Sequence, residues 1–270
     1  MLKHIKLLSL LIALAFSLSS CEKVIDVKLN TSATQMVIEG SITNQNGQQL
    51  VKLSQSVPYT DNNTFPAVSG ATVNVTDNQG HSWTFTESSP GNYTFGPLKG
   101  EPGRTYTLTV SVNNTVYKAA STMPDSVNID SLDVKIFNFG GEDIKQAQVH
   151  YTDPAGVANQ YRFVMKVNGV QSKQVYAEND RFTNGNPVPT VLFFNGNNDD
   201  DDELKSGDKV DIEMQCIDKN IFNYWFTLSQ QSQNGPGGGT IPGNPPSNIN
   251  NGALGYFSAH TVNKKQMVVK

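Results

Sequence analysis

Two cysteines in 270 residues, Cys21 and Cys216, exclude a disulfide-stapled scaffold. Histidine is as scarce: beyond residue 20 only His81, His150 and His260 occur. They fall on three separate expected strands, with no His-x-x-x-His or His-Glu pair, so zinc ligation at the usual spacing is unsupported. Gly-x-Ser-x-Gly is missing, which removes the serine elbow of α/β-hydrolases. Gly235–Gly239 is glycine-rich but lacks a following Gly-Lys-Ser/Thr, so it does not read as a phosphate cradle. Positive charge is also short. Setting aside residues 1–20, with Lys3 and Lys6, leaves 18 basic against 24 acidic residues, a net charge of −6. That argues against nucleic acid or an anionic lipid surface as main partner. No apolar run beyond residue 20 reads as a membrane span. Long helix formers are few, while Asn, Thr, Ser, Gly and Val abound, the composition of an exported β protein.

What is present begins with the first 21 residues. Met1–Lys6 forms a short basic head, and Leu7–Leu18 is apolar and uncharged. Small residues then lead to Cys21. This is the layout of a secretory signal, and it is too short for a membrane-spanning helix. Leu18-Ser19-Ser20-Cys21 resembles a bacterial lipobox, with Leu18 at the specificity position. Cleavage before Cys21 and acylation of its thiol and amine are therefore expected. Each buried acyl methylene contributes roughly 0.8 kcal/mol, so several chains anchor a soluble domain durably. The expected organisation is a signal over 1–20, a polar tether over 21–33, a β-sandwich domain over 34–124 and a second β domain over 125–270.

Period-two alternation dominates the rest. Met36, Ile38 and Ile42 open a first strand, and Asn46-Gly47 is suited to a positive-φ turn. Ala71, Val73 and Val75 alternate with polar residues, and Trp83 with Phe85 and Tyr93 with Phe95 repeat the pattern. Tyr106, Leu108, Val110 and Val112 give the cleanest alternation, followed by a tight turn at Asn113-Asn114. About seven short strands before Met123-Pro124-Asp125 predict an immunoglobulin-like or prealbumin-like sandwich. In the second half, Tyr161, Phe163, Met165 and Val167 lead into the hairpin signal Asn168-Gly169. Val191–Phe194 reads as a short, wholly apolar strand. Val210, Ile212, Met214 and Cys216 share a buried face, which makes Cys216 a small apolar filler. One helix is expected over about 218–231, capped by Asp218, with Ile221, Trp225 and Leu228 at i, i+4 and i+7. A Gly/Pro-rich loop over 234–251 follows, then closing strands at Gly255–Ala259 and Gln266–Val269. The fold class is mainly β, with the second antiparallel domain carrying the single helix.

Candidate chemistry is thin, and no catalytic residues are assigned. Asn195–Glu203 holds Asp199, Asp200, Asp201 and Asp202, the candidate calcium ligands, because calcium takes six to eight oxygens from flexible loops. The run lacks the spaced Asp-x-Asp-x-Asp-Gly pattern, and a solvated acidic loop is the plainer reading. Calcium is thus the one cofactor considered.

Several motifs carry a family resemblance. They are Val37-Ile38-Glu39-Gly40, Ser54-Gln55-Ser56-Val57-Pro58-Tyr59, Val68–Val73, Ser121-Thr122-Met123-Pro124, Ile129–Leu132, and Asn248-Ile249 with Leu254-Gly255-Tyr256-Phe257. Their ordered set resembles the Bacteroidetes lipoproteins catalogued as domain of unknown function 4249. The resemblance implies an outer-membrane lipoprotein, on the periplasmic or the cell-surface face, beside a TonB-dependent transporter, and it supplies no catalytic residues. Asp125-Ser126-Val127 and Asp130-Ser131-Leu132 resemble short O-glycan acceptor sites of that phylum, at Ser126 and Ser131. The expected function is a non-enzymatic binding or accessory module. A surface adhesin is the alternative, and a hydrolase built on paired carboxylates is a third reading.

Overall fold

A computed structural model of the chain describes residues 33–58, 61–62, 64–194, 203–232 and 243–270. Among them the fold is mainly β, with fifteen strands and one helix. The signal, the tether up to residue 32 and the Asp run at 199–202 lie outside the described residues, as does 233–242 of the Gly/Pro-rich loop.

The alternating residues of the first half build seven strands: β1 (Met36–Thr43), β2 (Gly47–Gln55), β3 (Thr72–Asp77), β4 (Ser82–Ser89), β5 (Asn92–Leu98), β6 (Thr105–Val112) and β7 (Thr115–Thr122). β4 serves two neighbours, pairing β3 through Ser82–Phe85 and β5 through Thr86–Ser89. Their inward residues, among them Ile38, Val51, Leu53, Val73, Tyr93, Tyr106 and Leu108, form one buried core. Each such side chain gains roughly 1.5–3 kcal/mol by leaving water. Asn113 and Asn114 both take positive φ at the β6–β7 turn, as their spacing predicts. Asn46 and Gly47 do not. There the Gln49 amide closes the turn instead, accepting from Thr43 N at 3.0 Å and donating to Leu98 O at 2.7 Å.

The second half adds β8 (Ile129–Phe139), β9 (Glu142–Thr152), β10 (Gln160–Val167), β11 (Val170–Gln171), β12 (Tyr176–Asn179), β13 (Pro187–Leu192), β14 (Lys209–Cys216) and β15 (Leu254–Val268). β13, β9 and β8 form a three-stranded sheet, and Ala147, Val149, Tyr151, Val188 and Leu192 pack with Tyr161, Phe163, Met165, Ile212 and Met214. The apolar run at Val191–Phe194 is therefore only partly strand. β13 starts earlier, at Pro187, and ends at Leu192, leaving Phe193 54 % exposed at the sheet margin.

β15 joins the two cores. It is one strand, where the alternation suggested two. Leu254–His260 runs parallel to β1, and Thr261–Val268 runs antiparallel to β14. The polar stretch between the apolar ends is held extended by these ladders. Phe257 and Ala259 belong to the first core, together with Ile249 and Ala253. Gly255 explains its place in the Leu254–Phe257 motif: its φ is +90°, and a Cβ there would lie 2.1 Å from Ile38 O.

The helix α1 (Lys219–Ser232) begins where Asp218 predicts. Asp218 Oδ1 accepts from Asn220 N at 2.8 Å and Ile221 N at 3.1 Å. Its Oδ2 accepts from the Ser121 hydroxyl, whose oxygen in turn accepts from Ala259 N at 2.8 Å. One carboxylate thus caps the helix and ties it to β7 and β15. Asp218→Ala is expected to cost about 1–2 kcal/mol in urea unfolding, and Asp218→Asn, which keeps the cap acceptor, less than half of that. Equal losses would show that the cap carries little of the effect.

Candidate functional site

Sequence-derived candidates are dispersed. Cys21 and Asp199–Asp202 lie outside the described residues. Ser126 is exposed on the β7–β8 connection and Ser131 is exposed on β8, so both hydroxyls are accessible. The Asp130 carboxylate beside Ser131 accepts from Thr152 Oγ1 at 3.0 Å. Cys216 is 2 % exposed; burial pushes its thiol up, and its sulfur accepts from Val127 N at 3.3 Å. It is the apolar filler its alternation predicts. The described end of the Gly/Pro-rich loop is fastened down: Asn248 donates to Phe257 O at 2.8 Å and accepts from Phe257 N at 3.0 Å. Asn250 Oδ1 accepts from Lys118 N at 2.7 Å.

Each histidine has its own partner. His150 Nε2 lies 2.9 Å from Asp133 Oδ2. His81 Nδ1 lies 2.9 Å from Asp77 Oδ2, which also accepts from Arg104 at 2.7 Å. Burial favours protonation of Asp77, but the hydrogen bonds from His81 and Arg104 outweigh it and hold the carboxyl at about 2. The folded state therefore binds this proton less tightly than the unfolded chain. The stabilisation is present above the ordinary value of 3.8 and is lost as pH falls towards about 2. Urea midpoints at about pH 5 and about pH 2.5 should differ less in Asp77→Asn than in the unaltered chain. An unchanged difference would count against Asp77. Among the described residues, no three or more His, Cys, Asp or Glu side chains cluster as metal ligands.

The richest cluster is one the motifs do not mark. It lies on the outward face of β10, β14 and β15. Arg162, Val164 and Lys166 alternate with the buried Tyr161, Phe163 and Met165, so period two places them outward. Register sets Arg162 beside Gln215, Val164 beside Glu213 and Glu213 beside Lys264. A trough of about 760 Å³ runs over Val164, Lys166, Asp211, Glu213, Lys264 and Gln266. It adjoins, at Val164, a hollow of about 320 Å³ lined by Arg162, Ser172, Lys173, Gln174 and Trp225.

The helix closes one end of this face. Trp225, on the stripe that docks α1, lies under Arg162, whose guanidinium carbon is 3.5 Å from the ring centre. Such stacking contributes about 0.5–2 kcal/mol. Trp225 meets Tyr256 edge-on at 5.1 Å, and Tyr224 lies 5.0 Å from Tyr256. Arg162 also donates to Gln215 Oε1 at 3.1 Å. Burial pulls Arg162 below its ordinary value and pushes the Tyr224 phenol up to about 12. Burial, and then the Arg162 charge, push His260 down to about 4, so it is neutral at pH 7. Its Nδ1 lies 2.9 Å from Ser258 Oγ. Burial acts on Glu213 in the opposite sense, but Gln215 at 2.6 Å and Lys264 at 3.0 Å hold it ionised and below its ordinary value. The face thus offers a flat aromatic wall, a fixed cation and charged groups of both signs, which suits binding of a small polar ligand.

Sequence reading missed Arg162 and Glu213; it marked Tyr256 only within the Leu254–Phe257 motif and weighed His260 only as a zinc ligand, which it set aside. A cation flanked by buried Tyr161 and Phe163 was the available signal, but its partner Trp225 sits on an element only the fold brings near.

The family model described as Domain of unknown function (DUF4249) matches residues 22–266. No curated protein matches the chain.

Proposed function

The chain belongs to the DUF4249 family, and we propose that it is a lipid-anchored, non-enzymatic binding module of the outer membrane, accessory to a TonB-dependent transporter. The observation that carries the binding reading is the guanidinium stacked on Trp225 in a hollow that adjoins an outward trough at Val164. The anchoring reading rests on the lipobox-like Leu18–Cys21. The transporter is the partner implied by the motif resemblance. Ser126 and Ser131, both exposed, are kept as glycan acceptors, and Asp199–Asp202 as calcium ligands.

The test is purification of the native chain from detergent-solubilised membranes. A transporter recovered in stoichiometric amount supports the reading, and its absence sinks the partner. Cys21→Ala should abolish incorporation of labelled palmitate and move the chain to the soluble fraction. Retention of the label would refute the anchor.

A surface adhesin is the second reading. Phe193 is 54 % exposed and lies 5.3 Å from Phe137. Exposed aromatics on a sheet face favour contact with a polymer or a second protein. Protease shaving of intact cells discriminates: a chain protected until lysis is periplasmic and is no adhesin.

A further inference from the structure

Arg162 is half-buried, and a cation partly withdrawn from water is costly unless a negative group pairs with it. Arg162 has five N–H donors, and among the described residues its hydrogen-bond and stacking partners are Gln215 Oε1 and the Trp225 ring, both uncharged; the Glu213 charge favours its protonated form without an ion pair. Among the described residues it forms no ion pair. Glu213, the nearest acidic residue by register, is already engaged by Lys264 and Gln215. Arg162 lines the hollow of about 320 Å³, together with Lys173. Ser172 beside it is turned inward, its hydroxyl accepting from Gln174 N at 3.2 Å.

We propose that this hollow binds the carboxylate of a small organic acid, with Arg162 as bidentate anchor and Trp225 as the wall against the ligand body. The inference rests on the binding-module reading and adds the ligand class. A guanidinium fork matches a carboxylate in plane and spacing. Lys173 is exposed, so water screens its charge and Arg162 is the one fixed cation, which suits a monoanion better than a doubly charged phosphate. The trough over Glu213, Lys264 and Gln266 then receives the polar remainder of the ligand.

The two tryptophans, Trp83 and Trp225, permit a direct test. The full chain in detergent is labelled with fluorotryptophan and followed by fluorine NMR, with Trp83 in the first core as internal control. Benzoate, galacturonate, benzamide, galactose and inorganic phosphate are the probes. At least one carboxylate is expected to shift the Trp225 line saturably, at least about tenfold more tightly than its neutral counterpart. Arg162→Gln should reduce the carboxylate to the affinity of the neutral probe while the Trp83 line stays in place. Equal binding of acid and neutral probe overturns the carboxylate assignment and leaves the binding reading standing. Tighter binding of phosphate than of any carboxylate overturns it too. A Trp225 line that no probe moves overturns both. Should Arg162→Gln fail to fold, the acid–neutral comparison in the unaltered chain decides alone.

Discussion

Phe257→Ala is expected to lower unfolding free energy by about 3–5 kcal/mol and to shift the transitions of both halves of the fold together. Phe257 is fully buried in the first core, 134 residues after Met123 in the chain. Its neighbour across the β1–β15 ladder is Gly40, which has no side chain to fill the void. A Cβ at Gly40 would sit 3.2 Å from the Phe257 ring, so the ring occupies the space that glycine leaves. The backbone of Phe257 is also clasped on both sides by Asn248. Trp83 reports on the first core and Trp225 on the helix packed near Tyr256. Because β15 pairs β1 with its first half and β14 with its second, both tryptophans should lose native fluorescence at one lowered urea midpoint. A Trp225 transition that stays at the unaltered midpoint would mean that the halves unfold independently.

The strands of this fold were legible because they are half-buried. Tyr106–Val112 shows its core face in every second residue, and so do Tyr161–Val167 and Val210–Cys216. The helix was legible from local chemistry alone, an Asp cap followed by an apolar stripe. Long-range pairing was not. His260–Lys265 is polar apart from Val262, and β1 and β14 supply its ladder partners from elsewhere in the chain. The site was hidden for the same reason. Arg162 and Trp225 are 63 positions apart, and no local pattern joins a strand cation to a helix indole. His260, weighed in the sequence only as a zinc ligand, is 6 % exposed and held neutral by burial and by Arg162. Sequence can mark which residues face outward from a strand; it does not say which element covers them.

Tyr161→Phe is expected to cost about 2–3 kcal/mol although it removes a single oxygen. Tyr161 is fully buried on the inner face of β10, its ring 4.9 Å from that of Tyr151. Its hydroxyl donates to Asp153 Oδ1, and Asp153 is 1 % exposed. Burial, and then this hydrogen bond, push the Tyr161 phenol far up, so the donor keeps its proton at any pH the fold survives. Without it, Asp153 retains Gly185 N at 3.3 Å. A buried carboxylate with so few donors loses the compensation for its desolvation. The loss should spread beyond β10, since Asp153 N also donates to Asn186 O, and Gly156 N to Asn184 Oδ1. These contacts hold the segment after β9 against the segment before β13. Hydrogen exchange of the Gly156 and Gly185 amides should therefore rise in Tyr161→Phe, while that of the β6 amides rises less. A double-mutant cycle with Asp153→Asn isolates the pair: coupling of about 1.5 kcal/mol or more is expected, and coupling under about 0.5 kcal/mol would show that aromatic packing alone holds Tyr161.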